Sequence, residues 1–243
     1  MQEVNKAPFS LRFHQISKDK IPKERCTSTM KKRILAIFLT LALLLSLVPL
    51  QSFAAEVSSL RGSGTDTDPY QLGTAEELLF AAQQMNAGTA SYTGKYYALT
   101  GDIDMSAIGA FPMINSFTGV LNGMGRTIYS LTVKDTVGTV PSGGYGLGFI
   151  HKNYGTIRDL TFDSASISSV ANASANGNSG AAVVAAENCS GAYIANVTVT
   201  NSKVVAPQVP KTAAIASMNS RSANTTGSII SKIENCKVTD MTM

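Results

Sequence analysis

Tryptophan is absent from this chain of 243 residues, which also has only three cysteines and two histidines. So few cysteines exclude a framework of several disulfides, on which many small exported domains depend. No CxxC pair and no cysteine–histidine spacing typical of a zinc site occurs. Cys189 and Cys236 follow the leader described below, and they could form one disulfide or remain as thiols.

Excess charge of one sign is also absent from most of the chain. The formal net charge is +4, but residues 1–54 hold nine Lys and Arg against three Asp and Glu, so residues 55–243 carry a net charge of −2. No long basic run follows Arg33. Because a phosphate backbone is bound by clustered Lys and Arg, we expect no nucleic-acid partner.

The basic residues belong to a segment with the layout of a secretory signal peptide. Lys31, Lys32 and Arg33 follow Met30, then an apolar run of 17 residues over 34–50 leads to small residues around Ala54. This order predicts a signal peptide over 30–54, cut after Ala54 or after Ala55. The run is at the short limit for a membrane span, so an uncleaved anchor is the alternative.

Residues 1–29 lie before this predicted leader. We interpret them as the product of a start codon assigned too early, with Met30 as the true first residue, or as an extended leader. The leader predicts a secreted or cell-surface protein, which touches a membrane only through the leader before cleavage.

A single helix is predicted near the start of the exported part. Thr74 is suited to the N-cap, and Glu77 three residues later would complete a capping box. Apolar residues then recur on one face, and Gly88 is a natural stop. We therefore predict a helix over 74–87, and we treat residues 55–116 as an N-terminal cap made of a strand, this helix and another strand.

From residue 117 onward the sequence repeats. Four phrases share one pattern: TIYSLTV at 127–133, GTIRDLTF at 155–162, YIANVTV at 193–199 and KIENCKV at 232–238. Their apolar residues follow each other at positions 0, +3 and +5, whereas a straight strand alternates at every second residue. Each phrase therefore predicts two short strands joined by a bend.

Aligning the four phrases gives three sets of residues that we expect to stack along one axis. The first apolar column is Ile128, Ile157, Ile194 and Ile233, and the second is Leu131, Leu160, Val197 and Cys236. The bend column is Ser130, Asp159, Asn196 and Asn235. These three residue types tolerate a left-handed backbone or bond to their own main chain.

The repeats are 29, 37 and 39 residues apart on the Ile column, a period typical of solenoids. Between the phrases lie shorter apolar segments that end in Asn, such as AAVVAAEN at 181–188. We predict an all-β fold, a right-handed parallel β-helix over 117–243 with three strands per coil. The short helix would cap its N-terminal end, where an unpaired strand edge invites aggregation.

The order of these pieces resembles bacterial exported and surface proteins with GLUG-type repeats, in the pectate-lyase-like β-helix group. The resemblance covers residues 62–243 and rests on GSGTDTDPYQLGTAEELLFAAQQMNAG, YYALTGDIDM, FTGVLNGMGRTIYSLTV and GFIHKNYGTIRDLTF. The later coils depart from the family's usual glycine-rich coil start. The resemblance implies an extracellular or surface-attached location, and many such proteins have no demonstrated catalytic role.

Carboxylates are present, but none predicts a site. Asp102 and Asp104 lie two residues apart on a predicted strand and offer fewer oxygens than calcium prefers, and His151 has no Ser-His-Asp context. The other acids of the coils are isolated residues typical of turns and solvated faces: Asp159, Asp163, Glu187, Glu234 and Asp240. We therefore assign no catalytic, cofactor-binding or metal-binding residue, and we expect no cofactor.

These observations favour an exported, non-catalytic β-helix module at the cell surface, which contacts an extracellular glycan or the surface of a host or neighbouring cell. The alternative is a secreted polysaccharide lyase or glycoside hydrolase of the β-helix group. Such an enzyme would need three or more carboxylates and a basic residue clustered on the outside of stacked coils. Since the repeats run up to Met243, we also expect the natural protein to continue with further coils.

Overall fold

The computed structural model describes residues 56–138, 145–173, 179–220 and 230–243. The predicted leader at 30–54 and the segment 1–29 lie outside the described residues. In the described ranges the chain forms one helix, α1 (Ala75–Asn86), and eighteen strands. The strands are β1 (Tyr70–Leu72), β2 (Tyr96–Leu99), β3 (Ile103–Asp104), β4 (Ile114–Phe117), β5 (Val120–Tyr129), β6 (Thr132–Asp135), β7 (Gly146–Leu147), β8 (Ile150–Asn153), β9 (Thr156–Asp163), β10 (Ser166–Ser169), β11 (Gly180–Ala182), β12 (Ala185–Asn188), β13 (Tyr193–Thr200), β14 (Lys203–Val205), β15 (Thr212–Ala213), β16 (Ala216–Asn219), β17 (Lys232–Glu234) and β18 (Lys237–Thr239).

These strands form four sheets in which the paired strands are parallel. Sheet A runs β1-β2-β5-β9-β13-β17, with β3 also on β5 and β18 also on β13. Sheet B runs β16-β12-β8-β4, sheet C runs β14-β10-β6, and sheet D runs β15-β11-β7. Along the chain each full coil visits sheets D, B, A and C in turn. The predicted fold class, an all-β parallel solenoid with one short helix, is confirmed. The expected three strands per coil are wrong, because a full coil has four.

Two bends in each coil explain the uneven spacing of apolar residues. The first lies within β9 and β13 and between β17 and β18, at Asp159, Asn196 and Asn235, whose φ angles are 57°, 53° and 52°. A left-handed residue turns the chain and lets the next side chain point inward again, which converts the spacing of two into a spacing of three. The 0, +3, +5 pattern is therefore the mark of a bent strand.

A second bend lies between the sheet A strand and the sheet C strand of each coil, and it also contains a residue with a left-handed backbone. Ser164, Asn201 and Asp240 have φ angles of 58°, 48° and 52°, and Ser130 has a φ angle of 57°. The backbone N–H of Ser130 donates to the carbonyl of Asp163 at 3.0 Å, directly before Ser164. Ser130 thus lies at the second bend of its coil, where Ser164 is its equivalent.

The register that we predicted for the first phrase is therefore wrong. Ile128 pairs with Phe162, and the partner of Ile157 in that coil is Leu121. Ile128, Ser130 and Leu131 do not belong to the columns of Ile157, Asp159 and Leu160. The physical reason is that both bends of a coil have the same 0, +3, +5 spacing of apolar residues. The phrase at 127–133 contains the second bend of its coil, but it was aligned with the first bends of the later coils.

The remaining phrases stack in register. Ile157, Ile194 and Ile233 pair in sequence across β9, β13 and β17. Leu160 pairs with Val197, and Phe162 with Val199. The isoleucine, leucine and valine side chains of β9 and β13 are buried in one continuous core. Full burial of a side chain of this size stabilises the fold by about 1.5–3 kcal/mol.

Helix α1 begins with side-chain caps. Thr74 is the N-cap, and its hydroxyl accepts from the backbone N–H of Glu77 at 3.2 Å. The Glu77 carboxylate accepts from the backbone N–H of Gly73 at 2.6 Å, one residue before the N-cap position of a standard capping box. The helix ends at Asn86 with Ala87 as its C-cap, and Gly88 follows with a φ of 70°.

The helix packs on β4, the edge strand of sheet B, and buries Leu78, Ala81 and Ala82. Sheet A, however, already includes β1 and β2. The predicted boundary between residues 116 and 117 therefore lies inside a continuous sheet. Within the described ranges, no helix is long and apolar enough to cross a membrane.

Candidate functional site

Three asparagines form a ladder at the corner between sheets B and A, with Asn153 and Asn188 buried and Asn219 exposed. Asn153 Nδ2 donates to Asn188 Oδ1, and Asn188 Nδ2 donates to Asn219 Oδ1, both at 2.9 Å. Asn153 Oδ1 accepts from the backbone N–H of Gly155 at 3.0 Å. Each rung ends one of the segments that precede the bend phrases. The ladder fixes the corner of the coils and leaves no side-chain group free for a ligand at Asn153 or Asn188.

The bend column forms a second, more exposed ladder. Asn196 Nδ2 donates to Asp159 Oδ1 at 2.8 Å, and Arg158 donates to Asp159 Oδ2 at 2.8 Å. At the next bend Asn201 Nδ2 donates to Asp163 Oδ1 at 3.0 Å. Both carboxylates are therefore engaged by the neighbouring coil.

Four of the other acids weighed from the sequence also have local partners. Asp102 accepts from the backbone N–H of Thr127, and Asp104 from that of Ser106, each at 2.9 Å. Further contacts of this kind join Glu187 to Ser220, and Glu234 to Tyr193 and Lys232. In the described part of the chain, no three His, Cys, Asp or Glu side chains are grouped so that they could hold a metal ion.

The two cysteines of the coils are free thiols in the structure. Cys189 is buried, and Cys236 is half-buried in the column of Val197. Burial raises the pKa of both thiols, and Glu187 adds to this at Cys189. Both groups therefore favour the unreactive thiol form.

A cleft of about 440 Å³ lies at the N-terminal edge of sheets C and D, and we call it the corner cleft. It opens beside the edge strands β6 and β7, and the segment before β4 forms its other wall. Both apolar and polar side chains line the cleft. The lining residues are Phe111, Pro112, Met113, Asn115, Val133, Lys134, Asp135, Val137, Tyr145, Gly146, Leu147 and His151.

The carboxylate in this cleft, Asp135, is held by the protein itself. Its Oδ1 accepts from the backbone N–H groups of Val137 at 2.9 Å and Gly138 at 3.0 Å. Its Oδ2 accepts from the Tyr145 hydroxyl at 2.7 Å, with the Ser169 hydroxyl 3.3 Å away. Two backbone N–H groups and the Tyr145 hydroxyl thus donate to this carboxylate, while the Ser169 hydroxyl also lies 2.6 Å from the Tyr145 hydroxyl and has only one proton to donate.

The directions in which the pKa values of the ionisable groups in the cleft are shifted follow from this geometry. Burial alone would raise the pKa of Asp135, but the hydrogen bonds from Gly138, Tyr145, Val137 and Ser169 outweigh burial and lower the pKa. The pKa of Tyr145 is raised, chiefly by burial. His151, also in the cleft wall, has a lowered pKa because it is buried and lies near Lys152.

At neutral pH the cleft thus presents the ionised Asp135 carboxylate, which accepts hydrogen bonds from the protein, and the neutral His151 imidazole. General acid catalysis needs a carboxyl group that keeps its proton near the working pH, which requires a raised pKa. The pKa of Asp135 is shifted the other way. The arrangement suits binding, because half-buried and exposed aliphatic side chains such as Met113 and Val137 provide contact area while polar side chains at the edge offer hydrogen bonds.

The amino-acid sequence did not predict the corner cleft. Asp135, Tyr145 and Ser169 come from β6, from the residue before β7 and from β10, in two successive coils. Only the correct register of the coils brings them together. The pairing of Asp135 with Ser169 follows once Val133 is aligned with Ile167, which required recognition of the second bend.

No protein-family model matches the chain. Halomucin from Haloquadratum walsbyi is 38% identical over 121 aligned residues, which are 44% of this chain and 1% of halomucin. A crystal structure from Bacteroides ovatus, described as that of a "putative immunoglobulin A1 protease", aligns with a TM-score of 0.49 and 22% identity. It covers 73% of this chain, which spans about half of that protein (49%). The chain thus matches parts of longer proteins, and the resemblance to GLUG-type repeat proteins stays a prediction.

Proposed function

We propose that this protein is an exported, non-catalytic β-solenoid module at the cell surface, which binds a glycan or another surface through its corner cleft. The observation that carries the proposal is that protein N–H and O–H groups already hydrogen-bond to the Asp135 carboxylate. The carboxylate closest to a catalytic role in the cleft is bound by Val137, Gly138 and Tyr145. The cleft therefore offers shape and polar contacts without a free acid.

A saccharide fits the composition of this cleft. Pyranose rings have apolar C–H faces and hydroxyl edges, so they need flat apolar walls with hydrogen-bonding groups at the rim. Pro112, Met113 and Val137 provide accessible apolar surface, since the rings of Phe111 and Tyr145 are only 3% and 6% exposed. Asn115, Lys134 and His151 provide polar groups. The solenoid supports such contact, because parallel coils hold both walls of the cleft at fixed distances.

Location outside the cell rests on the leader pattern at 30–54 and on the resemblance to exported repeat proteins. Export is tested by fusing residues 1–54 to a reporter enzyme that is active only outside the cytoplasm. Activity outside the cell that disappears when Leu43 and Leu44 are both changed to Arg supports export, and an inactive fusion contradicts it.

Binding is tested with the purified chain on an array of polysaccharides and oligosaccharides. The wild-type chain should bind a subset of glycans, and Val137→Ser together with Asn115→Ala, both at exposed positions, should abolish that binding without a change in thermal unfolding. Thr198→Ala, on the outer face of sheet A, is the matched control. Turnover of any bound glycan would favour the alternative, a polysaccharide lyase or glycoside hydrolase.

A further inference from the structure

A pocket of about 230 Å³ opens on the outer face of sheet A, and we call it the outer pocket. Its floor consists of outward side chains from two neighbouring strands, Tyr96 and Ala98 of β2 and Val120 and Asn122 of β5. Ala98 has the smallest side chain of this floor, which leaves room above the sheet at that point. Since pockets for drug-sized ligands span about 300–1,000 Å³, the outer pocket suits a smaller molecule.

The first wall of the outer pocket is the loop 62–68, which hydrogen-bonds to itself. Two backbone N–H groups within the loop donate to the carbonyl of Asp68, both at 3.1 Å. The carbonyl of Gly64 accepts from the backbone N–H of Tyr96 at 3.1 Å, so the loop continues the layer of β1 along β2. These bonds hold Asp66, at the tip of the loop, beside the pocket.

The second wall is a bulge in β5, where the pairing with β9 shifts between Asn122 and Arg126. Met124 has a left-handed φ of 52° there, and its backbone N–H donates to Asn122 Oδ1 at 2.9 Å. A Cβ atom at Gly123 would lie 2.4 Å from the carbonyl oxygen of Asp159, so only glycine lets the bulge rest on β9. The Met124 side chain is 60% exposed and offers apolar contact beside the floor.

Hydrogen-bond donors gather at the β9 end of the outer pocket. Arg158 lines this end with a side chain that is 43% exposed, and its Nη1 donates to Asp159 Oδ2 at 2.8 Å, which orients the guanidinium. In the described part of the chain, its other N–H groups and the amide N–H₂ of Asn122 have no protein acceptor. A guanidinium has five N–H groups, so several remain for a ligand. This end therefore suits a carboxylate, which Arg can bind with two parallel hydrogen bonds.

The opposite end of the outer pocket has an acceptor with no partner. Asp66 lines the pocket from the loop and is exposed, and among the described residues no donor or cation contacts its carboxylate. The layers of β2 and β5 lie between the loop and β9, and they contribute Tyr96 and Val120 as apolar contacts. The pocket thus has an anionic end and a cationic end on either side of an apolar floor.

The order of the strands sets the distance between these two ends. The loop 62–68, β2, β5 and β9 are successive layers about 4.8 Å apart, so the outermost backbones are separated by about 14 Å. The side chains of Asp66 and Arg158 reach into the pocket and shorten this span. Two extended residues of a peptide cover about 7 Å, which leaves room for a hydrogen bond at each terminus.

From this arrangement we infer that the outer pocket binds a small zwitterion with an apolar body, of which a free dipeptide is the simplest example. Its carboxylate pairs with Arg158 and the Asn122 amide, and its ammonium group pairs with Asp66. Its side chains contact Tyr96 and Met124. A neutral saccharide fits less well, because it compensates neither charged end. This site is separate from the corner cleft, which lies at sheets C and D.

The dipeptide alanyl-leucine is the probe, added to the isotope-labelled purified chain and followed by NMR. We expect saturable shifts of the amide signals at residues 96–98 and 122–124, with a dissociation constant of about 1 mM for a ligand of this size. Asp66→Asn should weaken binding by about threefold, and so should acetylation of the dipeptide's amino group, since each removes one charge of an exposed pair. Asp68→Asn, in the same loop and also exposed, changes the net charge equally but should leave binding unchanged.

Combined changes in protein and ligand separate direct pairing from general effects. The acetylated dipeptide should bind Asp66→Asn and the wild type equally, because the ammonium partner of Asp66 is already gone. In the same way, amidation of the dipeptide's carboxyl group should remove the difference between Arg158→Gln and the wild type. Thermal unfolding of each variant reports whether the pocket remains folded.

Absence of saturable shifts in the wild type would overturn the inference, and so would losses that simply add in the combined changes. Equal or tighter binding of methyl glucoside at the same amides would assign the pocket to saccharides and overturn it as well. Shifts confined to Asn115 and Lys134 would place the dipeptide in the corner cleft, which also contradicts the inference. Glycan binding at the corner cleft is measured with its own variants, so either proposal can fail without the other.

Discussion

Asn86, the last residue of α1, hydrogen-bonds the free edge of sheet B at Asn115. The backbone N–H of Asn115 donates to Asn86 Oδ1, and Asn86 Nδ2 donates to the carbonyl of Met113, both at 2.8 Å. One side-chain amide thus replaces the two backbone bonds that a further strand would make. The helix covers the edge with its apolar face and also satisfies the polar groups of that edge.

The change Asn86→Asp tests this role. A carboxylate keeps the acceptor for Asn115 but cannot donate to Met113, so a carbonyl at the edge loses its partner. We expect the free energy of unfolding to fall by about 2 kcal/mol. Hydrogen exchange at residues 114–117 should become faster, which mass spectrometry can measure.

Gln84→Glu is the matched control for this change. It adds the same charge to the same end of α1, and its side chain can still accept from the Thr89 hydroxyl. If both variants lose the same stability, the effect is one of charge at the helix end and the role assigned to Asn86 is wrong.

The asparagine ladder leads to a second prediction. Asn188 is 0% exposed and uses both ends of its amide, toward Asn153 and Asn219. Asn188→Leu should cost about 2 kcal/mol or more in a denaturant titration, because the buried amide of Asn153 loses its acceptor and the Asn219 amide loses its donor. Asn219→Leu, at the exposed end of the ladder, should cost less than about 1 kcal/mol.

The ladder shows what the sequence could and could not predict. The Asn that ends each segment before a bend was visible from the sequence, and so was the spacing that identifies a bent strand. The left-handed angles at Asp159, Asn196 and Asn235 lie where that spacing predicted a bend. The number of bends per coil was not visible, because the two bends carry the same pattern.

The error at the first phrase has a further local cause. The pairing of β5 with β9 shifts between Asn122 and Arg126, where the chain makes a bulge with Met124 at a φ of 52°. The bulge adds two residues between Leu121 and Ile128, so the first bend of that coil lacks the 0, +3, +5 spacing and only its second bend shows it. Sequence spacing alone therefore aligned Ile128 with Ile157, although its neighbour in space is Phe162.

Left-handed bends should be sensitive to residue type. Asn196 has a φ of 53° and is exposed, so its backbone angle can be tested without disturbing the core. Asn196→Val should lower the free energy of unfolding by about 2 kcal/mol, because a β-branched side chain clashes in this region. Asn196→Gly should cost less than about 1 kcal/mol.

Thr198→Val is the control for the bend, since Thr198 lies two residues further along the same strand in an ordinary extended region. It should be nearly neutral in the same denaturant titration. A large fall in the free energy of unfolding for Thr198→Val would contradict a cost that comes from the left-handed angle. An equal fall for Asn196→Gly and Asn196→Val would contradict it as well.

The last prediction concerns pH and Asp135. Because the pKa of Asp135 is lower in the folded protein than in the unfolded chain, its contribution to stability is complete above the ordinary Asp range and is lost as the pH falls through the folded pKa. Asp135→Asn replaces an acceptor with an amide whose N–H₂ faces protein donors. It should therefore lose about 2 kcal/mol of stability at neutral pH.

This deficit should shrink between about pH 5 and about pH 2, as Asp135 of the wild type becomes protonated. Thermal unfolding across that range measures the difference, with Asp66→Asn at an exposed position as the control. A deficit that stays constant would mean that the hydrogen bonds from Val137, Gly138 and Tyr145 do not favour the charged carboxylate. The cleft would then not hold Asp135 in its charged form, and this ground for a non-catalytic role of the corner cleft would be lost.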